Sequence, residues 1–220
     1  MRPLALDHIA FWVADRDPIV ARCVEWLGMH IIDRQESLTL VGADARRGKL
    51  TFFDAEGPRA PGVLVEVGLR VPDLGRARAE LPPGTGETFD LGEGLAVRLV
   101  EGETDVAVDL DYVLLAAPDP EWAAAGYERL GFTRREETEL DVGGATLRLE
   151  PGSPPETERP LLNHIGLLVE SAEEHRLEAE ARGIEVESTV EAANTRAVFV
   201  WAPDGVRVEF VEHKATFSLV

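Results

Sequence analysis

The chain has 220 residues, 45% hydrophobic and 29% charged, which is enough apolar content for one or two ordinary cores and too much for a disordered chain. The formal net charge is −19, and apart from Arg46, Arg47 and Lys49 the basic residues do not cluster, which excludes nucleic acid as a partner. The opening MRPLALDHIAFWVADRD lacks the pattern of a signal peptide, and no apolar run approaches the roughly 18 residues that span a bilayer, so the expectation is a cytoplasmic protein with no membrane partner.

In chain order, alternation predicts a strand over Leu6–Val13, then a helix over Asp17–Leu27 with apolar spacing at Ile19, Cys23, Trp26 and Leu27. Asp17 precedes Pro18 as the expected N-cap, and Gly28 ends the helix. Three short strands follow in MHIIDRQ, SLTLVGA and GKLTFFDA. The single cysteine, Cys23, excludes an internal disulfide and a thiolate zinc cluster, and its neighbours Val20, Val24 and Leu27 make it a buried filler. A second segment, VEVGLRVPDLGRARAELPPG, runs strand, loop, helix and breaker, and closes on GLAVRLVE from Gly94. The third, LDYVLLAAPDPEWAAAGYERLGFTRREETELDVGGATLRLEPG, repeats the first, with Tyr112 standing 104 residues after His8. Here Asp119 caps a helix that starts at Pro120 and runs to Leu130, Gly131 is the C-cap, and the last strand falls around Thr146–Leu149. The fourth, LNHIGLLVESAEEHRLEAEARG, matches the second and closes on GVRVEFVE from Gly205.

These repeats predict an α+β protein of four βαβββ modules. A lone module leaves one sheet face bare, so modules must pair. Pro58–Gly62 and PGSPPETERP (151–160) are taken to join modules within a domain, and EGETD (101–105) to join domains. The expected domains are 1–103 (modules 6–57 and 62–103) and 106–213 (modules 106–152 and 161–213). The tail KATFSLV (214–220) is expected to add an edge strand or cover a pocket mouth.

The "LxH-apolar" first strands, the helix end YERLGF (127–132) and the closing APDGVRVEFVE (202–212) resemble the vicinal oxygen chelate superfamily, which holds glyoxalase I, extradiol dioxygenases and bleomycin-resistance proteins. The resemblance covers essentially the whole chain and implies two glyoxalase-like domains; the four-module layout is most similar to the extradiol dioxygenases. It also implies that the third residue of each first strand and the fourth after the glycine of each last strand face a pocket. With the expected pairing, domain one offers His8, Phe52, Glu66 and Arg98, and domain two offers Tyr112, Arg148, His164 and Glu209. The two histidines then mark separate sites and do not meet.

In the dioxygenases that domain two resembles, two histidines and a glutamate bind iron, so His164 and Glu209 are the implied metal ligands, to Fe(II) first or to Mn or Zn. Tyr112 stands where the first histidine is expected, and Arg148 facing Glu209 opposes a cation between them; water or Glu150 is left to complete a weaker site. Tyr112 and Arg148 are the implied proton-transfer or anion-holding groups. The alternative for His164 and Glu209 is a buried ion pair. In domain one a Glu66–Arg98 salt bridge is expected to fill the pocket, and His8 lies before the aromatic set Phe11, Trp12, Phe52 and Phe53, either core or a ligand slot anchored by His8 and Glu66. His30 and His175 are expected to be solvated, and His213, four residues after Glu209, is a candidate acid/base at the pocket rim.

Two functions of different class follow from the resemblance. One is a metal-dependent, extradiol-type dioxygenase acting on a small vicinal-oxygen or catecholic substrate. The other is a metal-free protein of the bleomycin-resistance type that sequesters a cationic or aromatic ligand. Both take a small molecule as partner, and oligomeric state stays open.

Overall fold

The computed structural model describes residues 1–154 and 157–220. Module one comprises β1 (Ala5–Val13), α1 (Arg16–Leu27), β2 (His30–Arg34), β3 (Leu38–Gly42) and β4 (Lys49–Asp54). Module two is β5 (Leu64–Val71), α2 (Leu74–Ala79), β6 (Thr88–Asp90) and β7 (Ala96–Glu101), one strand short of the expected plan. Module three contains β8 (Asp109–Ala117), α3 (Pro120–Arg129), β9 (Thr133–Arg134), β10 (Glu139–Val142) and β11 (Ala145–Pro151). Module four contains β12 (Leu162–Val169), α4 (Ala172–Ala181), β13 (Val186–Glu191), β14 (Thr195–Trp201) and β15 (Arg207–His213).

The modules do not pair in the expected order. An eight-stranded sheet runs β13-β14-β15-β12-β1-β4-β3-β2, and a seven-stranded sheet runs β6-β7-β5-β8-β11-β10-β9. Modules one and four therefore share the first sheet, modules two and three the second. The seams are antiparallel, β1 on β12 and β5 on β8. The expected domains 1–103 and 106–213 each contribute one module to each sheet. All four modules offer the same alternating apolar edge strand, so hydrophobic pattern alone does not choose between the two pairings.

Within the first sheet, Ile9, Phe11 and Val13 of β1 join one core with Ile19, Val20 and Cys23 of α1, while His8, Ala10 and Trp12 alternate onto the opposite face. Phe52 stacks on Phe11 at 5.6 Å and belongs to that helix-side core, so it is not a pocket residue. Cys23 is buried as expected, and burial pushes its thiol up to about 12.

The caps follow the sequence at α3, where the Asp119 carboxylate accepts from Trp122 N at 3.0 Å, and at Gly28, which takes a left-handed φ of 64°. At α1 the N-cap is Asp15 rather than Asp17, and its side chain makes no capping bond. Glu93 of module two supplies the carboxylate instead, accepting from Ala14 N at 2.9 Å and Asp15 N at 2.8 Å. The tail adds no strand; Phe217 lies 4.3 Å from the His213 ring, stacked on it.

Candidate metal centre

The seam between β1 and β12 brings the two histidine phrases together. His8 Nε2 lies 2.9 Å from His164 Nε2. Glu209 of β15 completes the group, with Oε2 3.0 Å from His8 Nε2 and 2.9 Å from His164 Nε2. All three residues are buried, at 8%, 3% and 7% exposure. The expectation that the histidines occupy separate sites is therefore corrected: His8, and not Tyr112, stands beside His164 and Glu209.

Strand irregularities aim the surrounding side chains. Leu6 pairs with Leu167 and His8 with Gly166, which leaves Asp7 as the extra residue of a bulge; Ala10 pairs with His164 and Phe11 with Leu162, which leaves Asn163 as another. Each bulged residue contacts the histidine that follows it: Asp7 Oδ2 lies 2.8 Å from His8 Nδ1, and Asn163 Oδ1 lies 2.9 Å from His164 Nδ1. Both acceptors call for a proton on Nδ1, which turns both Nε2 lone pairs toward the Glu209 carboxylate. Gly166 makes room for this, since a Cβ there would stand 2.3 Å from His8 Cε1.

With both Nε2 atoms unprotonated the three converging atoms are all acceptors, and either a proton on a histidine Nε2 or a cation between them meets the Glu209 charge. Ligand atoms about 2.1 Å from one ion at right angles stand about 3.0 Å apart, which the three separations here match. Among the described residues, this is the one group of three or more His, Cys, Asp or Glu side chains placed to share an ion. Electrostatics agree. Burial disfavours a charged His8, yet hydrogen bonds to Asp7 and Glu209 outweigh it and raise its pKa to about 9. Burial likewise opposes ionisation of Glu209, but hydrogen bonds from His164 and His8 hold it well below the usual carboxylate range. Burial, with His8 and Arg207 nearby, keeps His164 below its ordinary value despite Glu209.

Aromatic rings wall the group. His164 packs against Phe199 at 5.3 Å and Phe53 at 6.2 Å, and Phe53 against Trp12 at 5.4 Å. Next to them a cleft of about 890 Å³ opens between the sheets. The triad itself does not line it, but Trp12, Leu162, Asn163 and Arg207 do, so the cleft begins one side chain away. The Arg207 guanidinium lies 3.9 Å over the Phe199 ring and is tied to Glu187 at 2.6 Å.

The remaining expected site residues sit elsewhere. Tyr112, Glu66 and Arg98 occupy the matching place in the second sheet, where the Tyr112 hydroxyl donates to Glu66 Oε1 and Arg98 Nε to the same carboxylate at 3.1 Å. The salt bridge expected there is present. Burial and that hydrogen bond push the Tyr112 phenol above its ordinary range. Arg148 lies 4.1 Å over the Tyr112 ring and pairs with Glu139 at 3.2 Å; it does not face Glu209. His213 is not at a rim: its Nε2 lies 3.0 Å from Asp7 Oδ1, behind the triad. His30 is exposed as expected, but His175 is buried under Phe210 and accepts from Arg2 N at 3.1 Å. Asp7, Asn163, Lys49 and Gly166 were not singled out from sequence, although an acceptor directly before each histidine and H-I-G against E-V-G were visible signals.

Paired sheets of βαβββ-type modules around a two-histidine, one-carboxylate group define a vicinal oxygen chelate fold. Residues 109–210 match the family model described as Glyoxalase/Bleomycin resistance protein/Dioxygenase superfamily. That match spans His164 and Glu209 but not His8. No curated protein matches the chain in sequence. Among solved structures, a Bacillus subtilis protein described as a "putative dioxygenase" is similar at 17% identity and a TM-score of 0.80, over 98% of this chain and 87% of that one. Glyoxalase I from Zea mays is similar at 17% identity and a TM-score of 0.67, over 96% and 92%. The cppA protein of Streptococcus pneumoniae TIGR4 is similar at 14% identity and 0.65, over 96% and 98%. At these identities the likeness is one of fold. No helix among the described residues is long and apolar enough to cross a membrane.

Proposed function

We propose that the chain is a metal-dependent enzyme of the extradiol dioxygenase type, acting on a small catecholic or other vicinal-oxygen substrate at His8, His164 and Glu209. The observation that carries it is the donor set: two imidazole nitrogens and one carboxylate oxygen, mutually 2.9–3.0 Å apart. Two histidines and one carboxylate on a single face leave open positions, the pattern of non-haem iron(II) oxygenases. Fe(II) is accordingly the metal of choice, with Mn or Zn as alternatives. When bound, the ion supplies Lewis acidity toward adjacent oxygens and, as iron(II), electron exchange with dioxygen.

The protein's own residues orient and shield. Asp7 and Asn163 hold the two imidazoles with Nε2 forward. Phe53, Phe199 and Trp12 exclude water from one side and offer flat apolar walls to an aromatic ring. The cleft is large enough for a drug-sized ligand.

The test is oxygen consumption by protein loaded anaerobically with Fe(II) and then given a panel of catechols. The proposal expects one oxygen consumed per catechol, abolished in Glu209→Gln. Metal binding without oxygen uptake would keep the chelating site and remove the dioxygenase chemistry. Absence of metal binding, with catechols or cationic ligands still raising Tm, would favour the metal-free binding protein.

A further inference from the structure

Behind His8 lies a buried cluster that the ligand set does not require. Asp7 is 1% exposed, and both of its carboxylate oxygens are engaged. Oδ2 faces His8 Nδ1 at 2.8 Å, while Oδ1 accepts from Lys49 Nζ at 2.8 Å and lies 3.0 Å from His213 Nε2. Lys49, itself buried, also donates to the Ala45 carbonyl at 2.9 Å. The tail closes over the group: Phe217 stacks on His213, and the Arg46 guanidinium lies 5.1 Å over Phe217.

We propose that Asp7 is a positioning residue that locks neutral His8 in the tautomer protonated on Nδ1, so that the neutral ring presents Nε2 as a bare lone pair facing His164 and Glu209. The inference rests on the metal reading of the triad. An ionised carboxylate can only accept, so its partner nitrogen must carry the proton. Lys49 and His213 occupy the other oxygen, which keeps Asp7 from rotating away and compensates its charge inside the fold. His164 lacks this arrangement: its Nδ1 faces the neutral amide of Asn163. The two imidazoles are thus unequal, and His8 is the more strongly oriented donor.

Asp7→Asn separates this role from packing, because the side chain keeps its size. Next to the Lys49 ammonium the amide turns its oxygen to the lysine and its NH2 to His8 Nδ1. His8 must then accept at Nδ1 and carry its proton on Nε2, where it blocks ligation. The experiment is nitrogen-15 NMR of histidine-labelled, metal-free protein at alkaline pH, where imidazole is neutral, combined with cobalt(II) titration followed by visible absorption. Wild type is expected to show His8 protonated on Nδ1. Asp7→Asn is expected to switch it to Nε2 and to weaken cobalt binding about 10- to 100-fold, the usual range for an outer-shell partner. A variant that keeps the wild-type tautomer and binds cobalt within about twofold, with only Tm lowered, overturns the proposal. If Asp7→Asn does not fold, the wild-type spectrum decides alone, and a neutral His8 protonated on Nε2 overturns it. Wild type that shows the expected tautomer but binds no cobalt would sink the metal reading while upholding the role of Asp7 as orienter.

Discussion

The two sheets are built from the same kind of module, yet they treat one position in opposite ways. In the first sheet that position holds His8, His164 and Glu209, with no lysine or arginine among them. In the second it holds Tyr112, Glu66 and Arg98, with Thr88 donating to Glu66 at 2.5 Å. There the cation and the protons are supplied by the protein itself. The bulges repeat as well, with Val65 and Asp111 as the extra residues of the second seam, but Val65 has no acceptor and Asp111 pairs with Arg70 at 2.7 Å. One cup therefore has the side chains that could hold an ion, and the other supplies its own cation. The same fold position can thus carry different chemistry, set by the side chains placed on it.

The contrast can be broken from either side. The largest effect is expected for Glu209→Gln, which removes the only negative ligand; metal affinity measured by calorimetry should fall more than about 100-fold, beyond what an outer-shell change costs. The reverse experiment is the triple variant Glu66→His, Arg98→Glu, Tyr112→His, which copies the first cup into the second. Elemental analysis should then find two ions per chain, and one would show that the bulged neighbours are also required.

The pH dependence should differ between the cups. In the metal-free protein His8 holds a proton up to about pH 9, and ligation must displace it. Affinity should therefore rise with pH, approaching about tenfold per unit between roughly pH 7 and 9, and level off above. For the metal-free fold the sign is opposite: a raised histidine pKa contributes stability fully below its unfolded value of 6.5, and that contribution is lost as pH climbs through about 9. Urea titrations of metal-free protein at pH 6 and pH 10 would read this loss.

A pair of glycines sharpens the comparison. A Cβ at Gly166 would stand 2.3 Å from His8 Cε1, and one at Gly68 would stand 2.1 Å from Tyr112 Cε1. Gly166→Ala should weaken metal binding by displacing a ligand ring, whereas Gly68→Ala should lower Tm and leave metal affinity alone. The smallest effect is expected for Arg98→Met. Glu66 keeps its hydrogen bonds from Tyr112 and Thr88 but loses its partner charge, at a cost of about 1–2 kcal/mol in chemical unfolding with metal content unchanged.

Much of this was legible in the sequence. Alternation, helix caps such as Asp119 and turn glycines such as Gly28 mark four modules, because those signals are local. His164 and Glu209 stood out as candidate ligands that share a pocket, and the Glu66–Arg98 bridge was expected, because each pair lies within one module. The pairing of modules was not legible: it is a choice among four similar edges, and nearest-neighbour order favoured the wrong one. Everything that depends on the seam was lost with it. The expected separate site for His8, the expected place of Tyr112 beside His164 and Glu209 and the expected turn of Phe52 toward the pocket instead of onto Phe11 all depend on that seam. Asp7 escaped notice because in a regular strand the residue before His8 points the other way, and only the bulge brings it round.

The central claim is that residues from opposite ends of the chain build one site, and the most direct test is metal content per chain in wild type, His8→Ala and His164→Ala after anaerobic purification. A single shared site predicts close to one ion in wild type and near-complete loss in both variants. Full metal retained in His8→Ala, with loss only in His164→Ala, would contradict it and return the two histidines to separate sites.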